Sequence, residues 1–311
     1  MAALACVAIV SAAVASGAQA QNGVAVADSL LAAGEIFQAE SIYYREAALR
    51  PRDPAARFAL GRYLAARGRW RIGAVLMEEA RYFGANADSI GEYLAPAYER
   101  LHDYKALTGM RGSPLTRAEQ QRTEWLARRA PQVTGPDSEW VEWVEPDSGL
   151  GAVYLVAGSD TLLARLDSRA SGLVVGVGMR GRPWLARFPA RGTSSTSDVA
   201  WLATRIVFGA LEMTNVPVTI QSGIDQPLLG FDVLERLAPE FDPRARRILL
   251  RRSGRVPADS TLSAVPTLRL DQLYVADGGL LLPIDAQPFR DRLRLSAWVL
   301  DARRGEIRFR R

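Results

Sequence analysis

The sequence predicts an α+β protein in which an all-α, helical-repeat domain is followed by an all-β domain. Between residues 27 and 130, apolar residues recur at three- and four-residue steps, which is the period of amphipathic helices. Farther along, short runs rich in Val, Leu and Ile are bounded by Gly, Ser, Asp or Pro, as in strands joined by tight turns. The turn-rich stretch 131–138 separates the two patterns, so we place the domain boundary there.

Length and charge limit the classes of protein that need to be considered. The 311 residues suffice for two domains with separate cores, and 48% hydrophobic with 23% charged residues is a globular rather than a disordered composition. The net charge is +5, but the arginines are spread among acidic residues instead of forming a basic stripe. We therefore expect no nucleic-acid partner.

The first residues have the pattern of an export signal. An apolar stretch over 4–14 is followed by small residues at Ala18 and Ala20, which predicts a signal peptide over 1–20. We expect a periplasmic or secreted protein with no integral membrane segment after cleavage, because no apolar stretch is long enough to span a bilayer. Cleavage would also remove Cys6, the only cysteine, and with it any disulfide or thiol nucleophile.

A repeated motif organises the predicted helices. Its two copies read Gly34-x-Ile36-x-x-Ala39-x-x-x-Tyr43 and Gly68-x-Trp70-x-x-Gly73-x-x-x-Met77. The spacing resembles a tetratricopeptide repeat (TPR), which has small residues where paired helices approach closely. The resemblance implies a TPR-like domain over 27–130, which is either a concave peptide-binding surface or a short helical cap. Two or three repeats favour the cap. A further helix is predicted after Thr116, with Glu119 completing a capping box.

The residues that carry chemistry follow a predicted hairpin with strands over 152–157 and 161–166. The second strand runs directly into Asp167-Ser168-Arg169-Ala170-Ser171. Much later the chain reads Leu228-Leu229-Gly230-Phe231-Asp232, which begins a predicted short helix and leads to a predicted strand over 247–250.

This order resembles the retropepsin-like, or clan AA, aspartic proteases. In that family a hydrophobic strand ends in Asp-Thr/Ser-Gly-Ala-Ser, and a flap hairpin, a hydrophobic-hydrophobic-Gly element, a helix and a last strand follow. The resemblance covers about a third of the chain, roughly residues 148–252. It implies a linker over 131–146, a retropepsin-like domain over 147–252 and a β-rich extension over 253–311.

The resemblance also assigns roles by position. Asp167 would be the catalytic carboxylate and Ser168 the residue that anchors its loop. In such enzymes two carboxylates share one proton and activate a water. Since one lobe supplies one aspartate, activity requires a homodimer through the β-domain or a second lobe. The structural motif of the second element would consist of Leu228, Leu229, Gly230 and Asp232.

Substrate contacts are implied for the residues after the aspartate and for the flap. Arg169 and Ala170 would lie against a peptide or protein substrate, and Ser194 and Ser195 fall where the flap lies. Arg169 is a departure from the family, because it stands where the loop needs glycine. A guanidinium near Asp167 would favour the ionised carboxylate, whereas the dyad needs one protonated member.

Two functions therefore follow from the sequence. One is an exported aspartic-type endopeptidase, active or degenerate. The alternative is a non-catalytic envelope scaffold or peptide-binding protein that uses the TPR-like repeats and the protease-like lobe. Both readings predict the same fold, and whether the protein is an enzyme stays open at this point.

Other candidate sites are weaker. Asp147-Ser148-Gly149 follows Glu145-Pro146 rather than an apolar strand, so we interpret it as a turn. The extension 253–311 is either two extra hairpins, which we favour, or a remnant second lobe with Asp277-Gly278-Gly279 as its loop. His102, the only histidine, is predicted to lie on a helix surface. With one histidine and no mature cysteine, we expect no metal and no cofactor.

Overall fold

The computed structural model describes residues 23–110, 112–144, 149–190, 199–257 and 263–309. Its first part, 23–126, is helical and is called the helical part below. The helices are α1 (23–32), α2 (Ile36–Leu49), α3 (Pro54–Ala66), α4 (Trp70–Tyr82), α5 (Ala87–Leu101), α6 (Tyr104–Gly109) and α7 (Arg117–Leu126). From α2 onward, each helix packs against the next one along the chain. No helix of the described ranges is both long and apolar enough to cross a membrane.

Glycines allow the close helix packing that the repeated motif predicts. Gly34 and Gly68 precede α2 and α4 and have φ values of 82° and 77°, which favour glycine. A Cβ on Gly73 would lie 2.7 Å from the carbonyl oxygen of Gly61, so α3 and α4 approach closely at this pair. The capping box of α7 forms, with mutual hydrogen bonds between Thr116 and Glu119. The TPR assignment itself stays a prediction.

The second part, 133–309, is rich in strands. These are β1 (Val133–Thr134), β2 (Ser138–Val144), β3 (Ala152–Ala157), β4 (Asp160–Asp167), β5 (Leu173–Gly176), β6 (Leu185–Pro189), β7 (Val199–Phe208), β8 (Leu211–Gln221), β9 (Leu228–Gly230), β10 (Glu240–Asp242), β11 (Arg247–Arg251), β12 (Ser263–Arg269), β13 (Leu273–Asp277), β14 (Leu280–Pro283), β15 (Trp298–Asp301) and β16 (Glu306–Phe309). Two short helices, α8 (Phe231–Leu234) and α9 (Gln287–Leu295), interrupt them. The molecule is thus an α+β protein, as predicted.

The predicted linker over 131–146 differs from the structure. Strand β1 pairs with β8, and β2 pairs with both β11 and β3, so residues 133–144 belong to the β-domain. Exposed and buried side chains alternate over Trp140, Val141, Glu142 and Trp143, as expected of a strand that is buried on one face only. We did not recognise this alternation in the sequence, because turn residues lie just before β2.

Six strands close into a barrel in the order β3-β4-β9-β5-β8-β7, with β7 returning to β3 through Val156 and Val207. Strand β9 lies between β4 and β5, parallel to the first and antiparallel to the second. Asp167 at the end of β4 is paired with Gly230 at the end of β9. The loop that joins β4 to β5 therefore passes over the end of β9, which brings the two predicted motifs together.

Two hairpins of equal length meet in the second sheet, whose strand order is β2-β11-β10-β15-β16-β12. Each hairpin turns after an aspartate, Asp242 in β10–β11 and Asp301 in β15–β16. Strands β10 and β15 pair antiparallel, with Glu240 opposite Val299. Both residues stand at the same place in their own hairpin, so a local two-fold axis passes between them.

The two-fold relation extends outward on both sides of the sheet. Strand β2 flanks β11 and leads into the hairpin β3–β4, while β12 flanks β16 and leads into the hairpin β13–β14. The amide of Leu166 donates to the carbonyl oxygen of Gly151, just before β3, at 2.7 Å, and the amide of Ile284 donates to that of Leu273, at the start of β13, at 3.0 Å. Asp285, which follows Ile284, therefore stands at the position that corresponds to Asp167.

Residues 263–309, which we call the half-lobe, repeat part of the strand pairing of the preceding residues. After Asp285 the chain enters α9 and then β15 directly, so the segment 285–298 contains no counterpart of β5 to β9. Two hairpins are present in this extension, as we expected: β13–β14 and β15–β16. Whether they are the remnant of a second lobe stays a prediction. Asp277 does not begin an aspartate loop, because Gly278 and Gly279 form a tight hairpin turn with φ values of 61° and 77°.

The helical part is fixed against the half-lobe by backbone contacts. Arg67 at the end of α3 donates to the carbonyl oxygens of Thr267 and Gly305 at 2.7 and 2.6 Å. A Cβ on Gly68 would lie 1.9 Å from the carbonyl oxygen of Ala302, so the two turns are in direct contact. This contact sets the position of the helices over the β-domain.

Candidate functional site

The segment 167–172, called the aspartate loop below, is anchored by a carboxylate at each end. Oδ1 of Asp167 accepts from the backbone amide of Arg169 at 2.8 Å. Asp232, buried at the start of α8, accepts from the amide of Gly172 at 2.9 and 3.0 Å and from Oγ of Ser171 at 3.1 Å. The acidic residue of the predicted second motif therefore holds the loop of the first.

The same arrangement leaves no space for a side chain at Gly230. A Cβ at this position would lie 2.2 Å from Oδ1 of Asp232 and 2.4 Å from the carbonyl oxygen of Ala170. Real Cβ atoms essentially never approach other atoms this closely. Leu229 is fully buried in the barrel beside it, and Leu228 is half-buried. The Leu-Leu-Gly motif thus combines a core strand with a close backbone approach.

Ser168 does not anchor the loop in the way that the resemblance implies. The residue is 2% exposed, and its Oγ has no hydrogen-bond partner among the residues that the structure describes. Its matched position in the half-lobe, after Asp285, is Ala286, which has no hydroxyl. A buried hydroxyl without a partner is unfavourable by about 1–3 kcal/mol.

Ser168→Ala is accordingly expected to leave the free energy of unfolding unchanged or to raise it by up to about 1 kcal/mol. Denaturant titration would measure the change. Ser171→Ala is the matched control, because its hydroxyl donates to Asp232. We expect this control to lose about 1 kcal/mol. A loss at Ser168 that equals the loss at Ser171 would show that Ser168 does anchor the loop.

Arg169 extends from the aspartate loop to the half-lobe. Its Nε donates to Oε1 of Gln272 at 2.8 Å. Gln272 is 5% exposed and donates to Oη of Tyr274 at 3.1 Å, and Tyr274 donates in turn to Asp271 at 3.0 Å. The guanidinium is thus held by a chain of hydrogen bonds in the half-lobe. Only the backbone amide of Arg169 bonds to Asp167.

A cleft of about 830 Å³ lies between the helical part and the β-domain. We call it the interdomain cleft. On the β side it is lined by residues 168–171 of the aspartate loop, by Asp232 and by 269–271 at the end of β12. On the other side it is lined by residues from α1 to α6. Within the described chain, Asp167 is not part of this lining, although the four residues after it are.

The helical wall of the cleft is aromatic. The tyrosines and the tryptophan that line it are Tyr43, Tyr63, Trp70, Tyr93 and Tyr104. The rings of Tyr43 and Tyr63 lie with centroids 5.2 Å apart. The guanidiniums of Arg62 and Arg100 lie 5.8 and 5.6 Å from the ring centres of Tyr93 and Trp70. This wall offers flat apolar surfaces with polar edges.

The charged side chains of the cleft differ in how they are paired. Arg62 forms an ion pair with Asp28 at 2.7 Å. Arg100 and Arg269 both pair with Glu235, so one carboxylate serves two guanidiniums. Burial raises the pKa of Glu99 on α5, the nearby Arg122 offsets part of the shift, and Asp232 adds to it. Glu99 is therefore more easily protonated than an exposed glutamate.

His102 lies in a different environment from the one predicted. It ends α5 with a left-handed φ of 55° and is half-buried, with its ring centroid 6.0 Å from that of Tyr104. Burial lowers its pKa to about 4, and the charge of Arg236 acts in the same direction. The left-handed cap folds the histidine back against α6, which a helix-surface assignment does not anticipate.

His102 is expected to make the folded protein sensitive to acid. Its folded pKa of about 4 lies below the ordinary 6.5, so the stability it contributes is present above pH 6.5 and is lost as the pH falls through 4. His102→Asn keeps a residue that tolerates left-handed φ. In denaturant titrations, the free energy of unfolding of this variant should fall by about 2 kcal/mol less than that of wild type between pH 6.5 and 4. This figure allows for the partial exposure of the ring. Equal losses in both proteins would contradict the assignment.

Several predicted site residues lie outside the described residues. These are the flap positions Ser194 and Ser195 and the first two residues of Asp147-Ser148-Gly149. Among those that are described, the structure brings together Asp167, Ser168, Arg169 and Ala170 with Gly230 and Asp232. The described ranges contain no group of three or more His, Cys, Asp or Glu side chains that could hold a metal ion.

Sequence reasoning missed Asp285 and Gln272. Leu281-Leu282-Pro283-Ile284-Asp285 repeats an apolar run that ends in aspartate, but no Ser-x-Ala follows it. Gln272 has no sequence signal of its own, because its role depends on Arg169 reaching it from another lobe.

Part of this chain is similar to the solved structure of a retropepsin-like aspartic protease from Rickettsia conorii, with 16% sequence identity and a TM-score of 0.27. The match covers 39% of this chain and 92% of that protein. No protein-family model and no curated protein matches the sequence.

Proposed function

We propose that this chain is a non-catalytic peptide-binding protein, in which a retropepsin-like β-domain and the helical part form the two walls of one binding cleft. The observation that carries the proposal is the lining of the interdomain cleft. It includes residues 168–171 of the aspartate loop and the helices, but not Asp167. A ligand in this cleft would contact Arg169, which replaces the glycine of the protease loop, rather than the aspartate.

The chemistry of the cleft suits a peptide. Its volume of about 830 Å³ falls within the range of ligand sites, roughly 300–1,000 Å³. The aromatic helical wall can pack apolar side chains, while Arg169, Arg236 and Asp271 offer charged groups on the opposite side. The TPR-like helices would then act as a binding wall, in addition to capping the β-domain.

A homodimer through the β-domain is not required by this proposal. The edge of β10 that faces away from β11 is paired with β15 of the same chain. The half-lobe thus stands where a second copy would add its strands, and we expect a monomer. Export to the periplasm or medium, inferred from residues 1–20, remains part of the proposal and is tested by the N-terminal sequence of the exported protein.

Retention of peptides tests the proposed function. The immobilised protein would be incubated with a proteolytic digest of casein, and retained peptides would be identified by mass spectrometry. We expect a reproducible subset to be retained by wild type and lost in Trp70→Ala, which removes a ring from the cleft wall. Trp140→Ala is the matched control, because Trp140 is 41% exposed on β2 and lies outside the lining. No retention by wild type would overturn the proposal.

An aspartic peptidase is the second candidate, and the position of Asp285 favours it. The two-fold relation between the lobe and the half-lobe matches Asp285 with Asp167, so a single chain contains two corresponding carboxylates. If this candidate is correct, we expect the protein to cleave an unstructured protein at the acid pH where a shared-proton dyad operates. Asp167→Asn and Asp285→Asn should then each abolish the cleavage.

A further inference from the structure

At the end of the interdomain cleft next to the aspartate loop, Arg169 and Arg236 form no ion pair with a described carboxylate, whereas Arg100 and Arg269 both pair with Glu235. Four guanidiniums belong to this end of the cleft, those of Arg100, Arg169, Arg236 and Arg269. Three carboxylates face them, those of Glu235, Asp232 and Asp271, and all three already accept hydrogen bonds within the protein. Burial raises the pKa of Glu99, another acid of the lining.

Arg169 is held in a way that leaves its charged tip open. Nε is occupied by Gln272, but Nη1 and Nη2 make no hydrogen bond or ion pair with any residue of the described ranges. The side chain is exposed and lines the cleft. The end of a guanidinium formed by its two Nη atoms is the edge that binds both oxygens of a carboxylate.

The surroundings of Arg169 pre-organise this edge. Gln272 is 5% exposed and is held by Tyr274, which is held by Asp271. An arginine fixed at Nε loses less side-chain freedom when it binds a ligand than a free one does. Arg236 lines the same end of the cleft, and no ion pair with a described carboxylate neutralises it.

We propose that this end of the cleft is a carboxylate subsite, in which the Nη atoms of Arg169 bind a carboxylate of the peptide ligand and Arg236 adds a second positive charge. The inference rests on the proposed peptide-binding function and names the ligand group that the aspartate loop recognises. The carboxylate can come from the C-terminus of the peptide or from an acidic side chain. The substitution of the protease glycine by arginine thus replaces a loop suited to catalysis with an anion-binding loop.

Chemical modification of the ligand tests the subsite. Peptides of the casein digest that wild type retains would be synthesised in three forms: unmodified, with a C-terminal amide, and with each Asp and Glu replaced by its amide. Isothermal titration would give their dissociation constants. We expect one of the two modifications to weaken binding by about 10-fold or more. The form that weakens it identifies the source of the carboxylate.

Protein variants complete the test. Arg169→Gln should weaken binding of the unmodified peptide by about 10-fold or more and remove the difference between the peptide forms. Arg169→Lys keeps the charge but lacks the two-pronged tip, so it should recover only part of the affinity. Arg165→Gln is the matched control, because Arg165 is exposed on β4 and lies outside the cleft lining. Thermal melting of each variant would verify that it is folded.

The possible failures are distinguishable. If wild type retains no peptide, the proposed function fails and the subsite fails with it. If peptides are retained but bind equally in all three forms, or equally to wild type and Arg169→Gln, the subsite is wrong while peptide binding stands.

Discussion

Gly230→Ala is expected to lower the free energy of unfolding by about 3 kcal/mol. The added Cβ would lie 2.2 Å from Oδ1 of Asp232 and 2.4 Å from the carbonyl oxygen of Ala170, so at least one of them must move. Either movement disturbs the hydrogen bonds by which Asp232 holds Gly172 and Ser171. The aspartate loop would therefore lose its anchor together with the packing of β9.

Denaturant titration of Gly230→Ala and Gly178→Ala would measure this effect. Gly178 is the matched control, because its Cβ would meet no atom within 4 Å and its φ is not left-handed. We expect the control to change stability by no more than about 0.5 kcal/mol. Equal effects at both glycines would mean that β9 does not approach the aspartate loop closely.

Trp298→Ala is expected to destabilise the protein by about 3–5 kcal/mol. The indole is 2% exposed and stacks on Phe241 with ring centroids 3.8 Å apart. This pair lies where β10 meets β15, beside the local two-fold axis. Loss of the ring would therefore weaken the contact of β10 with β15, which joins the preceding strands to the half-lobe. Both parts should unfold together.

Trp298→Phe separates packing from hydrogen bonding at this position. The indole Nε1 is buried and has no hydrogen-bond partner within the described part of the chain, so phenylalanine keeps a ring against Phe241 and removes an unsatisfied group. We expect a loss of about 1 kcal/mol or less. A loss as large as that of Trp298→Ala would show that Nε1 makes a bond that the structure lacks.

Local pattern was sufficient to predict much of the fold. The alternation of Val153 to Ala157 and of Leu162 to Leu166 predicts the hairpin β3–β4 because one face of each strand is buried. The capping box at Thr116 and Glu119 likewise fixes the start of α7 from four residues of sequence. The link between Leu229-Gly230 and the aspartate loop came from the family resemblance, and strand pairing places the two together.

Long-range pairing accounts for what the sequence did not reveal. The antiparallel contact of Glu240 with Val299 depends on packing across two lobes, and no local pattern encodes it. Asp285 became a candidate only when the ladders matched Ile284 with Leu166. The interdomain cleft depends on the contact of Arg67 with Thr267 and Gly305, which join distant parts of the chain.

Intact-mass analysis of a casein incubated with the mature protein distinguishes a peptide-binding protein from an aspartic peptidase. Samples would span about pH 3 to 7, the range that includes the working conditions of a shared-proton dyad. We expect wild type, Asp167→Asn and Asp285→Asn all to return the casein uncleaved, and Asp167→Asn to retain peptides as well as wild type does. Fragments that appear with wild type and disappear with both variants and with pepstatin would overturn the non-catalytic function and identify an aspartic peptidase.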